Sequence, residues 1–117
     1  MHISHTTLDN VCILRLSGRI DHQQAALFGR LLNHHAQSAC PSCANFLLDC
    51  ADLEYISSYG LQELLAFAKP RVGQGKNLVL STLRGAVRDV FAITHFDDIF
   101  PLYADANTAL IALRQTG

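Results

Sequence analysis

Residues 47–65 read LLDCADLEYISSYGLQELL, and the way this stretch divides decides the fold. With Phe46 it opens on FLLDC, a continuous apolar run that suits a strand covered on both faces, where a half-solvated strand would alternate. Beyond it, Leu61, Leu64, Leu65 and Ala68 recur at helical spacing. A buried strand feeding a helix through a short junction is the repeating unit of an α/β domain. The junction carries two adjacent serines, Ser57 and Ser58, ahead of Gly60.

Toward the N-terminus, VCILRL at 11–16 has Asp9 and Asn10 before it and Gly18 after it, and predicts a second buried strand. HISHTT at 2–7 can pair with it as an edge hairpin across the Leu8-Asp9-Asn10 turn. Asp21 then stands at an N-cap position, and Phe28, Leu31, Leu32 and His35 share one helical face, predicting a helix from His22 to about Gln37 that SACPSCAN at 38–45 breaks.

Toward the C-terminus, Pro70 with Gly73 and Gly75 predicts the end of the helix after the serines. NLVLSTL at 77–83 predicts another buried strand, and Val87, Val90, Phe91 and Thr94 a third helix. DIFPLY at 98–103 reads as a short strand that Pro101 confines to an edge, and Ala106, Ala109, Leu110 and Leu113 mark a closing helix. The expected fold is α/β: a central mixed, partly parallel sheet of about five strands screened by about four helices, in a single domain over residues 1–117. Ligands and partners of such sheets gather at the carboxyl ends of the strands, the side on which YISSYGL falls.

Half of the 117 residues are hydrophobic and 16% are charged, which supplies a core and argues against disorder. Nine basic against ten acidic residues, with the basic ones dispersed, leave no footprint for nucleic acid. No apolar run approaches the roughly 18 to 20 residues of a membrane span, and MHISHTTLDN has none of the regions of a signal peptide. The expectation is a cytoplasmic protein without membrane insertion. Its four cysteines then read as reduced core or loop residues.

Several catalytic readings fail on the residues. A nucleophile elbow needs glycine two positions before Ser58, where Ile56 stands. GQGKN at 73–77 resembles the end of a phosphate loop, but Pro70 replaces its first glycine and Asn77 its hydroxyl. Cys40 and Cys43 form C-x-x-C with His34 and His35 upstream. Adjacent helical residues point about 100° apart, however, so both histidines do not easily reach one ion. His2, His5, His22 and His95 show no ligand spacing. No metal, cofactor or catalytic residue is expected.

For the serine pair, helix capping needs only one hydroxyl. Gly60 and Leu61 stand where a capping box would place Glu or Gln, so neither serine completes one. Phosphorylation is the alternative, because a helix N-terminus accommodates the roughly −1.5 to −2 charges of a phosphoserine. Asp52 and Glu54, near in sequence, oppose it.

Three patterns carry a family resemblance: LSGRID at 16–21, LLDCADLEYISSYGLQELL at 47–65, and HFDDIFPLYADANTAL at 95–110. Over nearly its whole length the chain resembles STAS domain proteins, specifically the single-domain anti-sigma factor antagonists of bacteria. They match the family's L-x-G-x-[IL]-D, its strand, acidic loop and D-S-[SA]-G-L core, and its C-terminal region.

The resemblance implies that Ser58, two residues before Gly60, is phosphorylated by a GHKL-type serine kinase that doubles as anti-sigma factor. Ser57 stands in place of the family's aspartate and is the alternative acceptor, and Tyr59 replaces its small residue. It further implies partner switching: the unmodified protein binds the kinase and frees the sigma factor, phosphorylation breaks the complex, and a PP2C-type phosphatase restores it. The docking surface would comprise Asp21, Ser57, Ser58, Tyr59 and Gly60. Two rivals remain: a constitutive STAS interaction subunit of a transporter or signalling scaffold, and a small enzyme using Ser58 as nucleophile with one of the six histidines as base.

Overall fold

Asp9 and Asn10 both adopt positive φ, 49° and 65°, in a computed structural model that describes residues 1–39 and 42–116. Two left-handed residues in a row make the tight turn whose twist matches that of flanking strands. They join β1 (His2–Leu8) to β2 (Val11–Ile20) antiparallel, with Leu8 opposite Val11 and His2 opposite Ser17. A 3₁₀ turn at His22–Gln24 leads into α1 (Ala25–Ala39), followed by β3 (Asn45–Ile56), α2 (Ser58–Gly73) and β4 (Asn77–Ser81). The chain closes with α3 (Gly85–Ile93), a 3₁₀ turn at Phe96–Asp98, β5 (Leu102–Tyr103) and α4 (Ala106–Thr116).

The sheet order is β1-β2-β3-β4-β5, with β2 through β5 parallel. Among the described residues, these five strands and four helices form the expected mixed sheet screened by helices. Phe28 and Leu32 of α1, Leu61, Leu64 and Phe67 of α2, and Val87 and Phe91 of α3 pack with Leu14, Leu48 and Leu80 in the main core. Ala109 and Leu113 of α4 cover Val11, Ile13, Leu47 and Val79 in a smaller cluster. Burying each large apolar side chain contributes roughly 1.5–3 kcal/mol, so the three-helix layer dominates stability.

Several boundaries differ from the sequence expectation: α1 starts at Ala25 after the 3₁₀ turn and runs to Ala39, β4 stops at Ser81, and others differ for reasons in the packing. Gly18 does not end β2; its φ of 85° accommodates an irregularity, and the strand runs on to Ile20. The acidic stretch 51–56 is strand rather than loop. Arg15 pairs with Asp49 but Ser17 with Asp52, and Gly18 pairs with Leu53 but Arg19 with Tyr55, so β3 carries one extra residue at each of two points. The first bulge moves the core-facing positions from Phe46, Leu48 and Cys50 to Leu53, and the second restores them at Ile56.

The second helix ends at Gly73, within the Pro70, Gly73 and Gly75 cluster that predicted its end, but Pro70 itself lies inside its last turn. The Arg71 side chain turns back, donates to the Phe67 carbonyl at 2.8 Å and stacks 3.7 Å above the Phe67 ring, while Gln74 N–H donates to the Pro70 carbonyl at 3.1 Å. Pro70 has no N–H for the Ala66 carbonyl, and the apolar face of α2, anchored in the core by Phe67 and Ala68, offsets the roughly 3 kcal/mol that an interior proline costs. The last strand is only Leu102–Tyr103; Pro101 precedes it, and its carbonyl accepts from Leu80 N–H at 3.0 Å.

GQGKN is a turn into β4, with Gly75 at φ 80° and Lys76 N–H bonded to the Arg71 carbonyl. Among the described residues no helix is long and apolar enough to cross a membrane. Cys12 and Cys50 are buried free thiols, and burial pushes the Cys50 thiol up to about 12, which leaves it protonated and inert. The C-x-x-C reading requires Cys40, which lies outside the described residues.

Candidate functional site

Paired Ile20 and Ile56 bring the carboxyl ends of the parallel strands β2 and β3 side by side. Ser57 N–H donates to the Ile20 carbonyl at 2.8 Å, so the strand ladder continues one residue into the junction. Asp21 directly follows Ile20, the last residue of β2. Its carboxylate accepts from Gln24 N–H at 3.1 Å and caps the 3₁₀ turn, confirming its expected capping role.

The two serines divide their tasks. Ser57 is the N-cap of α2, 8% exposed, and its Oγ accepts from Gly60 N–H at 3.2 Å, while its carbonyl accepts from Leu61 N–H at 3.0 Å. Ser58 is the first helical residue and is exposed. The N–H groups at the start of a helix have no intrahelical acceptors and carry the positive end of its dipole, and no acidic residue occupies this first turn. One hydroxyl therefore builds the junction, and the other stands in solvent beside a positive helix end.

Gly60 is buried beneath them. A Cβ at this position would lie 2.7 Å from Ile56 Cγ1 and 3.0 Å from Ile20 Cγ2, so only glycine lets α2 start this close to the two strand ends. Tyr59 projects outward, 50% exposed, with its ring edge-on to His22 at 4.3 Å between centroids. Sequence reasoning missed His22 as a neighbour of the site; its place directly after the cap Asp21 was the available signal.

Of the five predicted site residues, Ser58 and Tyr59 form the exposed surface, while Asp21, Ser57 and Gly60 shape the backbone that presents it. The acidic pair Asp52 and Glu54 is exposed along the last part of β3. Cations accompany it there: the Arg19 guanidinium lies 4.8 Å from the centre of the Tyr55 ring, and Arg84 donates to the Ala51 carbonyl. Among the described residues, no group of three or more His, Cys, Asp or Glu could hold a metal ion.

The STAS domain family model matches residues 2–109. The BtrV protein of Bordetella bronchiseptica, which bears the name of an anti-sigma factor antagonist, is 44% identical over 69 residues; the match spans 58% of this chain and 59% of that protein. An anti-sigma factor antagonist from Mycobacterium paratuberculosis superposes with a TM-score of 0.83 at 25% identity, covering 97% of this chain and 93% of its own. The antagonist SpoIIAA in its unphosphorylated form superposes with a TM-score of 0.78 at 15% identity, covering 97% of each chain, and shares the fold.

Proposed function

This chain belongs to the STAS domain family, and on that premise we propose that it is an anti-sigma factor antagonist controlled by phosphorylation of Ser58. The observation that carries the proposal is the division between the two serines. Ser57 is committed to the cap, whereas Ser58 offers an exposed hydroxyl on a helix end that already favours an anion. The name of the Bordetella relative points to the same role.

In this reading the protein is a cytoplasmic regulator rather than an enzyme. Its partner is a GHKL-type serine kinase that also holds the sigma factor, and a PP2C-type phosphatase resets it. Unmodified, the surface of Ser58 and Tyr59 docks on the kinase. A dianion placed in that buried contact carries a desolvation and repulsion cost of several kcal/mol unless paired, and releases the complex.

Intact mass and peptide mapping after incubation with ATP and the kinase test this. A gain of one phosphate on the wild type, absent from Ser58→Ala, is the expected result; a stable complex with no phosphate gain removes the switch. Ser57→Ala is expected to keep the phosphate on the Ser58 peptide while losing about 1 kcal/mol of stability with its cap. A phosphate mapped to Ser57 would overturn the assignment.

A second reading, a constitutive interaction subunit of a transporter or signalling scaffold, is favoured by Tyr59. Held against His22 and half exposed, it suits a fixed aromatic anchor. Recovery of transporter subunits rather than a kinase in a pull-down distinguishes it.

A further inference from the structure

On the seam between β1 and α1, His5 Nδ1 and His35 Nδ1 lie 2.6 Å apart, although 30 residues separate them in sequence. Their rings meet edge to face with centroids 4.9 Å apart, and the His34 ring lies 5.8 Å from that of His35. Two residues along the strand, Thr7 Oγ1 donates to the Ala39 carbonyl, which holds the same strand and helix together. No carboxylate forms an ion pair with either imidazole among the described residues.

We propose that His5 and His35 form a two-imidazole chelate for a divalent transition ion of the zinc or nickel type, stapling β1 to α1. In the metal-free pair one ring donates Nδ1–H to the other's Nδ1. Binding needs both Nδ1 lone pairs, so the donor ring moves its proton to Nε2 by exchange with water; both rings stay neutral and no net proton is released. Metal–nitrogen bonds of about 2.0–2.1 Å put two neighbouring donors roughly 3 Å apart, and small rotations of the rings supply that opening.

Imidazole selects this ion class; magnesium and calcium prefer oxygen. With no third protein ligand in place, water completes the coordination and the ion stays exchangeable. Because the two ligands come together only in the folded chain, bound metal stabilises the fold by mass action. Along α1 alone, the adjacent His34 and His35 could not converge; the second ligand comes from the edge strand instead.

Thermal unfolding with increasing Ni²⁺ or Zn²⁺, beside Mg²⁺, tests the site. A melting temperature that keeps rising with the logarithm of the concentration of the first two ions above Kd, and does not move with Mg²⁺, is expected; the stabilisation reaches about 2.7 kcal/mol at a hundredfold excess over Kd. His5→Gln and His35→Gln should each weaken binding by about tenfold or more. His95→Gln and the double variant Cys40→Ser/Cys43→Ser should leave it unchanged. Each variant is compared with its own metal-free melt, and imidazole ¹⁵N shifts of the wild type report ligation by His5 and His35 directly. No stabilisation, stabilisation that survives both histidine variants, or a response that requires the cysteines overturns the proposal.

Discussion

Replacing Ser58 with aspartate is expected to weaken binding to the kinase by about a hundredfold or more, while the circular dichroism spectrum and melting temperature stay close to those of the wild type. The two halves of this expectation have separate causes. Within the fold, residue 58 is exposed and opens α2, where an acidic side chain interacts favourably with the helix dipole by about 0.3–1 kcal/mol. The substitution therefore costs the free protein nothing. At the interface, a charge buried without a partner costs several kcal/mol, and each 1.4 kcal/mol is tenfold in affinity.

Aspartate carries one charge where phosphoserine carries nearly two, so the variant understates the effect expected of the proposed phosphorylation. Ser58→Asn separates charge from size: it has nearly the same shape, and its complex should stay within a few-fold of the wild type. Titration calorimetry of the three proteins against the kinase is the measurement. Undiminished binding by Ser58→Asp would rule out the phosphoswitch, and equal losses in both variants would assign the effect to shape rather than charge.

The parts of this fold that were legible in the sequence are those set by local chemistry. Asp9 and Asn10 tolerate the left-handed conformation their turn needs, and Leu61, Leu64 and Ala68 mark their helix by spacing alone. What the sequence hid arises between elements. The two bulges in β3 break its alternation between Cys50 and Ile56, so half of a 12-residue strand looked like an acidic loop. That Pro70 itself falls within α2 was hidden because the core packing of Phe67 and Ala68, which holds the helix past it to Gly73, is visible only once the fold is built. The serine pair shows the same limit: either could cap a helix, and only the register of α2 assigns the cap to Ser57 and leaves Ser58 in solvent.

That register depends on Gly60, and Gly60→Ala is expected to destabilise the protein by about 1–2 kcal/mol and to weaken kinase binding with it. The added methyl would sit 2.7 Å from Ile56 Cγ1, 3.3 Å from Ile56 Cδ1 and 3.0 Å from Ile20 Cγ2. Neither isoleucine can yield easily, since each is 1% exposed and ends one of the two paired central strands. Overpacking of this kind costs about 1–3 kcal/mol, against a gain of up to about 1 kcal/mol from the better helix propensity of alanine.

Gly73 provides the matched control. It lies at the other end of the same helix, a Cβ there meets nothing within 4 Å, and Gly73→Ala should stabilise by about 0.4–1 kcal/mol. Opposite signs for the same substitution at the two ends of α2, measured by chemical denaturation, would show that close approach at the junction sets the register. The binding loss in Gly60→Ala follows from the same displacement, because moving the Gly60 N–H off Ser57 Oγ shifts the turn that presents Ser58. A Gly60→Ala protein as stable as the wild type would mean that α2 can slide outward at no cost, and that the strand ends do not fix the position of Ser58.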